Sequence, residues 1–214
     1  MCGRYLLFDD KDEEEIHRII EEANRRSTGG DLKMGMVYPT DAAPILVKLQ
    51  DGHVAKAMRW GFPKWDGKGV VINARAETAS TKAMFAKSLQ ARRVVVPTIG
   101  FYEWRHEGKA KKEMYLFREH KKNALYLAGI YNIFTLPDGS REERFTILTT
   151  NANGSIEPYH DRMPVLLDES ERDAWIDDAG ATDDILHRIP ADLDAEHIEQ
   201  EDVKKEGPEQ TSLF

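Results

Sequence analysis

Apolar residues at Ile16, Ile19, Ile20 and Ala23 recur at i, i+3, i+4 and i+7 behind an acidic first turn, which predicts an amphipathic helix over Asp10–Arg26. Ile45–Leu49 and Val54–Met58, separated by Asp51-Gly52, read as a hairpin. Val70–Asn73 is a short strand, and Thr81–Arg92 fits a helix. Strand-like runs follow at Arg93–Pro97, Gly100–Arg105, Glu113–Arg118, Ala124–Phe134, Arg144–Thr150 and Met163–Leu167. Glu169–Asp177 and Thr182–Arg188 fit short helices, and the chain turns acidic and polar after Pro190. Strands interleaved with few helices predict an α+β fold: a mainly antiparallel, twisted or bifurcated sheet, a partial barrel, flanked by several short helices. One domain over 1–198 and a flexible acidic tail over 199–214 are expected.

Composition narrows the class. No apolar run reaches the length of a membrane span, and the first residues lack a signal-peptide pattern. A single cysteine, Cys2, excludes a disulfide framework and a Cys-rich zinc site, and it fits a reducing cytoplasm. No metal or cofactor is expected: the seven histidines show no paired ligand spacing, and no Gly-rich phosphate loop is present. The net charge of −8 is unevenly spread: residues 9–26, 168–184 and 190–214 carry −4, −7 and −6, leaving +9 on the rest. That remainder could present a basic face to phosphate, although ordinary surface charge explains it equally simply.

Cys2 is the first chemical candidate. With Met1 removed, it would carry a free α-amine and a thiol on adjacent carbons, a 1,2-aminothiol able to condense with an aldehyde and close a ring. Four other segments stand out. Arg59-Trp60-Gly61-Phe62-Pro63 offers either a core tryptophan closing a hairpin or an aromatic surface for a base. Asn73, Arg75 and Glu77 alternate, so in an extended segment they share one side, lining a pocket or facing solvent. Glu103 lies among aromatics in Gly100-Phe101-Tyr102-Glu103-Trp104; partial burial would raise its pKa and suit it to acid–base work, whereas a plain alternating strand would turn it to water. Glu157–Pro164 sets His160 and Arg162 on a loop before a strand, His160 being either a proton shuttle or incidental.

Cys2-Gly3-Arg4-Tyr5, Trp60-Gly61, Asn73-Ala74-Arg75-Ala76-Glu77-Thr78, Gly100-Phe101-Tyr102-Glu103-Trp104 and His160-Asp161-Arg162-Met163-Pro164, in this order over about residues 2–190, resemble the SRAP family. These are the SOS-response-associated peptidases, known as abasic-site processing or shielding proteins. One departure is Trp60-Gly61-Phe62-Pro63, a residue shorter than the family's usual Trp-Gly-hydrophobic-hydrophobic-Pro form, which bears on the shape of the DNA-facing wedge.

The resemblance implies a covalent trap for abasic sites in single-stranded DNA, shielding the lesion during replication and the SOS response. The Cys2 amine would form a Schiff base with the open sugar, and the thiol would close a thiazolidine. An α-amine near ~7.7–8.0 keeps a neutral fraction at neutral pH, and a thiol near ~8.5 would gain from a cation such as Arg4. By the same resemblance, Asn73 positions the N-terminal residue or sugar, and Glu103 and His160 handle protons. Arg75 and Arg162 grip phosphates with Arg4 as a weaker third, and Trp60 stacks on or wedges beside a base. Self-cleavage ahead of Cys2 and a lyase-like activity are also implied.

Two other functions remain open: a cysteine peptidase with Cys2 as nucleophile, and a non-covalent reader of single-stranded or modified DNA. The tail end Gln210-Thr211-Ser212-Leu213-Phe214 resembles the pentapeptide by which bacterial proteins bind the replicative sliding clamp, with Gln210, Leu213 and Phe214 as anchors. A nucleoid-associated cytoplasmic monomer is expected.

Overall fold

The computed structural model of this chain describes residues 2–7, 14–27, 32–50, 52–105, 113–120 and 124–199. In chain order the first elements are β1 (Arg4–Leu6), α1 (Glu14–Arg26), β2 (Met36–Val37), β3 (Ala42–Leu49), β4 (Gly52–Trp60), β5 (Phe62–Pro63) and β6 (Val70–Val71). Next come β7 (Asn73–Arg75), α2 (Ala76–Ala79), α3 (Ala86–Ala91), β8 (Arg93–Thr98), β9 (Gly100–Arg105) and β10 (Glu113–Glu119). The last are β11 (Leu125–Thr135), β12 (Arg141–Asn151), β13 (Arg162–Pro164), α4 (Glu171–Asp177), α5 (Thr182–His187) and β14 (Leu193–Ile198).

The architecture is α+β with mostly antiparallel sheets. One sheet runs β14-β10-β9-β1-β2 and places β1 between β9 and β2, with Arg4 opposite Tyr102 and Tyr5 opposite both Phe101 and Val37. The other runs β11-β8-β3-β4-β12, and β12 pairs again with β11, so five strands form a closed circuit. Its narrow seams are a single pair between β3 and β8, Leu46 with Val95, and a short parallel contact between β4 and β12. β12 also carries β13 antiparallel and β7 parallel.

Trp60 joins the two sheets. Its ring lies 5.2 Å from Tyr5 of the first sheet and stacks at 6.3 Å on Phe145 of the second. Gly61 permits the turn that follows: its φ is +110°, and a Cβ there would come within 2.7 Å of the Val70 side chain. The apolar stripe of α1 is buried as its spacing predicts, with Ile16, Ile19, Ile20 and Ala23 facing inward as the helix packs on β3 and β4.

Three elements differ from the sequence reading. The helix expected over Thr81–Arg92 is confined to α3, and a separate short helix, α2, precedes that span. Between them the Thr81 hydroxyl bonds the Thr78 carbonyl, the local competition by which Ser and Thr interrupt helices. Glu77 falls in α2 rather than in an extended segment with Asn73 and Arg75. The acidic stretch after Pro190 contains a strand, β14, whose outward residues are charged because it is a sheet edge. The expected helix start at Asp10, the turn residue Asp51, and the tail beyond Glu199 with Gln210, Leu213 and Phe214 lie outside the described residues.

Candidate active site around Cys2

Cys2 lies two residues before β1, whose register with β9 runs the chain's first residues alongside Glu103 and Trp104. The residue is completely buried. Its Sγ lies 3.6 Å from the Arg4 carbonyl, and its own carbonyl accepts a 2.8 Å bond from Asn73 Nδ2. Asn73 opens β7, held beside Ile147 of β12. The Asn73 segment and the Glu103 strand thus approach Cys2 from the two different sheets.

Electrostatics set this centre apart. Burial raises the Cys2 thiol well above its ordinary value, and the Glu103 charge adds to the rise. The Arg4 guanidinium, the cation expected to favour the thiolate, lies 4.8 Å from the Tyr38 ring and 4.8 Å from the Trp104 ring. Glu103 is 2% exposed, which removes the reading in which it faces water, and burial raises its carboxyl. A carboxyl that holds its proton closer to neutral pH can serve as a general acid.

His160 stands on the loop before β13. Its Nδ1 accepts a 2.9 Å bond from the Arg162 backbone N–H. The Asp161 carboxylate also lies 2.9 Å from that nitrogen, but it is 83% exposed and screened by water. The Asp161 charge adds a small rise to the Glu103 carboxyl.

Two residues expected to touch DNA are buried. Trp60 is completely buried, its faces covered by Tyr5 and Phe145 and its Nε1 bonded to the Ile72 carbonyl, so neither face is open to a base. Arg162 is 6% exposed. Its Nη1 bonds Glu77 Oε1 and, at 2.6 Å, Asn151 Oδ1; its Nη2 bonds Glu77 Oε2 at 2.9 Å and the Thr149 carbonyl at 2.7 Å. Both Nη groups are committed within the protein, which leaves no fork for a phosphate. Arg75 is different: it is exposed and makes no ion pair among the described residues.

Two further residues escaped the sequence reading. Trp65 is 91% exposed on the turn between β5 and β6, with Lys64 and Lys68 in the same turn. A tryptophan inside the polar, Gly-rich run Lys64–Gly69 was the available signal, because nothing there could bury it. Thr149 pairs in register with Arg75, two places from the Ile147–Asn73 pair, so Thr149 and Asn73 share a face. Thr149 Oγ1 and Asn73 Oδ1 are both buried without a protein partner among the described residues. Among the described residues no group of His, Cys, Asp and Glu is arranged to hold a metal ion, and no helix is long and apolar enough to cross a membrane.

The family model described as SOS response associated peptidase (SRAP) matches residues 1–206. The chain belongs to the SRAP family. It is 33% identical over 210 residues to Abasic site processing protein YoqW of Bacillus subtilis, covering 93% of this chain and 90% of that one. Abasic site processing protein YedK of Escherichia coli is 27% identical over 179 residues, covering 82% and 79%. A solved protein of Bacteroides thetaiotaomicron superposes with a TM-score of 0.77 at 24% identity, covering 95% of this chain and 94% of that chain, a likeness of fold. The buried meeting of Cys2, Asn73 and Glu103 therefore belongs to an SRAP chain.

Proposed function

We propose that this protein captures abasic sites in single-stranded DNA through Cys2 once Met1 is removed. It holds the lesion as a thiazolidine crosslink and shields it during replication and the SOS response. The observation that carries this reading is the convergence on buried Cys2 of an amide, Asn73, and a carboxyl whose pKa burial raises, Glu103. The family and the names of its relatives supply the substrate class.

The chemistry balances without a co-reactant. The freed Cys2 amine adds to the C1′ aldehyde of the opened sugar, water leaves, and an imine forms. The Cys2 sulfur then adds to the imine carbon, its proton ends on nitrogen, and a five-membered ring closes. Glu103 donates the proton that lets water depart. Asn73 holds the Cys2 backbone, so the second bond forms within one molecule at high effective concentration. His160 relays protons at the rim. Arg75 meets a flanking phosphate, and Trp65, in place of Trp60, offers a face to a neighbouring base. The lesion carries no base, so little unstacking opposes entry. The residue ahead of Cys2 leaves by self-cleavage or by an aminopeptidase.

The deciding experiment incubates the mature protein with single-stranded DNA bearing an abasic site, followed by a denaturing gel. The expected result is a shifted band that Cys2→Ala abolishes. Absence of any covalent species overturns the trap and leaves a non-covalent reader, whereas Cys2-dependent cleavage of an added peptide points to a peptidase. Cys2→Ser should give only a reversible Schiff base, trapped by borohydride; a crosslink as stable as wild type sinks the ring step. A nucleoid-associated cytoplasmic monomer and a clamp contact through Gln210, Leu213 and Phe214 complete the reading. The clamp contact predicts that deleting residues 210–214 abolishes pull-down by purified clamp.

A further inference from the structure

The Asn73 and His160 segments come from chain regions far apart, and one ion pair ties them. Glu77 lies in α2, directly after the strand whose first residue bonds the Cys2 carbonyl. Arg162 opens β13, two residues after His160. The guanidinium takes both Glu77 oxygens and also bonds Asn151 and the Thr149 carbonyl, so it pins α2 to the inner end of β12. The same residue's backbone N–H points at His160 Nδ1. A backbone amide only donates, so it demands a lone pair on Nδ1 and leaves the proton of the neutral ring on Nε2.

We propose that Glu77 and Arg162 are positioning residues of the Cys2 site: their ion pair sets the Asn73 segment against the His160 segment and fixes His160 in the Nε2–H tautomer. The reaction readouts rest on the proposed crosslinking; the tautomer does not. Asp161 is the competing group, because its carboxylate would favour a proton on Nδ1. The outcome depends on how rigidly Arg162 is held, since its amide sits in a buried, four-bonded residue and Asp161 is exposed. Among the described residues, the charged groups beside His160 include Asp161 and Arg162, with Glu77 behind Arg162.

Glu77→Gln keeps the shape and removes the charge, and Arg162→Lys keeps the charge and removes the fork. Imidazole nitrogen shifts by NMR should show wild-type His160 protonated on Nε2 and each variant as a tautomer mixture. At saturating abasic DNA and well below each melting temperature, crosslinking should slow roughly ten- to a hundredfold, with a shifted pH profile and unchanged DNA affinity. A wild-type ring protonated on Nδ1 overturns the proposal whether or not the chain crosslinks DNA. So does Glu77→Gln retaining both tautomer and rate. Weakened DNA binding with an unchanged saturated rate in Arg162→Lys overturns it in favour of a phosphate grip.

Discussion

Cys2 on one side and Arg75 and Trp65 on the other are two contrasting environments, one dry and one wet, and under the proposed function they divide chemistry from grip. At the centre Cys2 and Glu103 are 0% and 2% exposed, and burial shifts both titrating groups. At the rim Trp65 is 91% exposed and Arg75 faces solvent. Charges at the rim act through water and salt, whereas a proton misplaced at the centre meets a low dielectric. Chemistry and grip should therefore fail separately.

The largest break is Cys2→Ala, which should remove the crosslink completely on a denaturing gel while leaving non-covalent DNA binding intact. Glu103→Gln comes next, with single-turnover crosslinking slowed about 10²–10⁴-fold, the range lost with a general acid. The same substitution tests burial through stability. The folded chain keeps the Glu103 proton above the pH at which the unfolded chain loses it. Stability should therefore fall as pH rises from the ordinary carboxylate range through the raised folded value, and that slope should vanish in Glu103→Gln on denaturant titration.

The two tryptophans sharpen the contrast. Trp60→Ala should cost about 3–5 kcal/mol of unfolding free energy. Trp65→Ala should leave stability within about 0.5 kcal/mol and weaken single-strand binding by about 1–3 kcal/mol. Equal stability losses at both positions would erase the distinction between centre and rim. The smallest effect is Arg75→Ala, which should lower the salt slope of DNA binding by about one; an unchanged slope would remove Arg75 from the phosphate contacts.

Much of this was legible in the sequence wherever a period was strong. The α1 stripe, the β3–β4 hairpin and the strand bearing Glu103 follow from spacing alone, whereas spacing left Glu103 either buried among aromatics or facing water. Polar residues on short elements were harder. Trp60 and Trp65 lie five places apart in one segment, and only the pairing of β4 with β12 and the nearness of Tyr5 decide which is buried. Arg162 looked like a phosphate ligand because its partner Glu77 is 85 positions away in sequence. β14 hid behind charge because an edge strand shows water most of its side chains.

The place of β1 between β9 and β2 has a consequence in time. Its sheet neighbour β9 ends at Arg105, so the strand after Cys2 has no partner there until that far stretch has been synthesised. At roughly 5–20 residues per second, the head of the chain waits on the order of 5–20 seconds before its groove exists. Whatever trims the residue ahead of Cys2 meets, in that interval, a thread rather than a fold. If an aminopeptidase does the proposed trimming, it works against the ribosome's clock, and a chain reached too late closes over an amine that was never freed; self-cleavage by the folded chain would escape that limit.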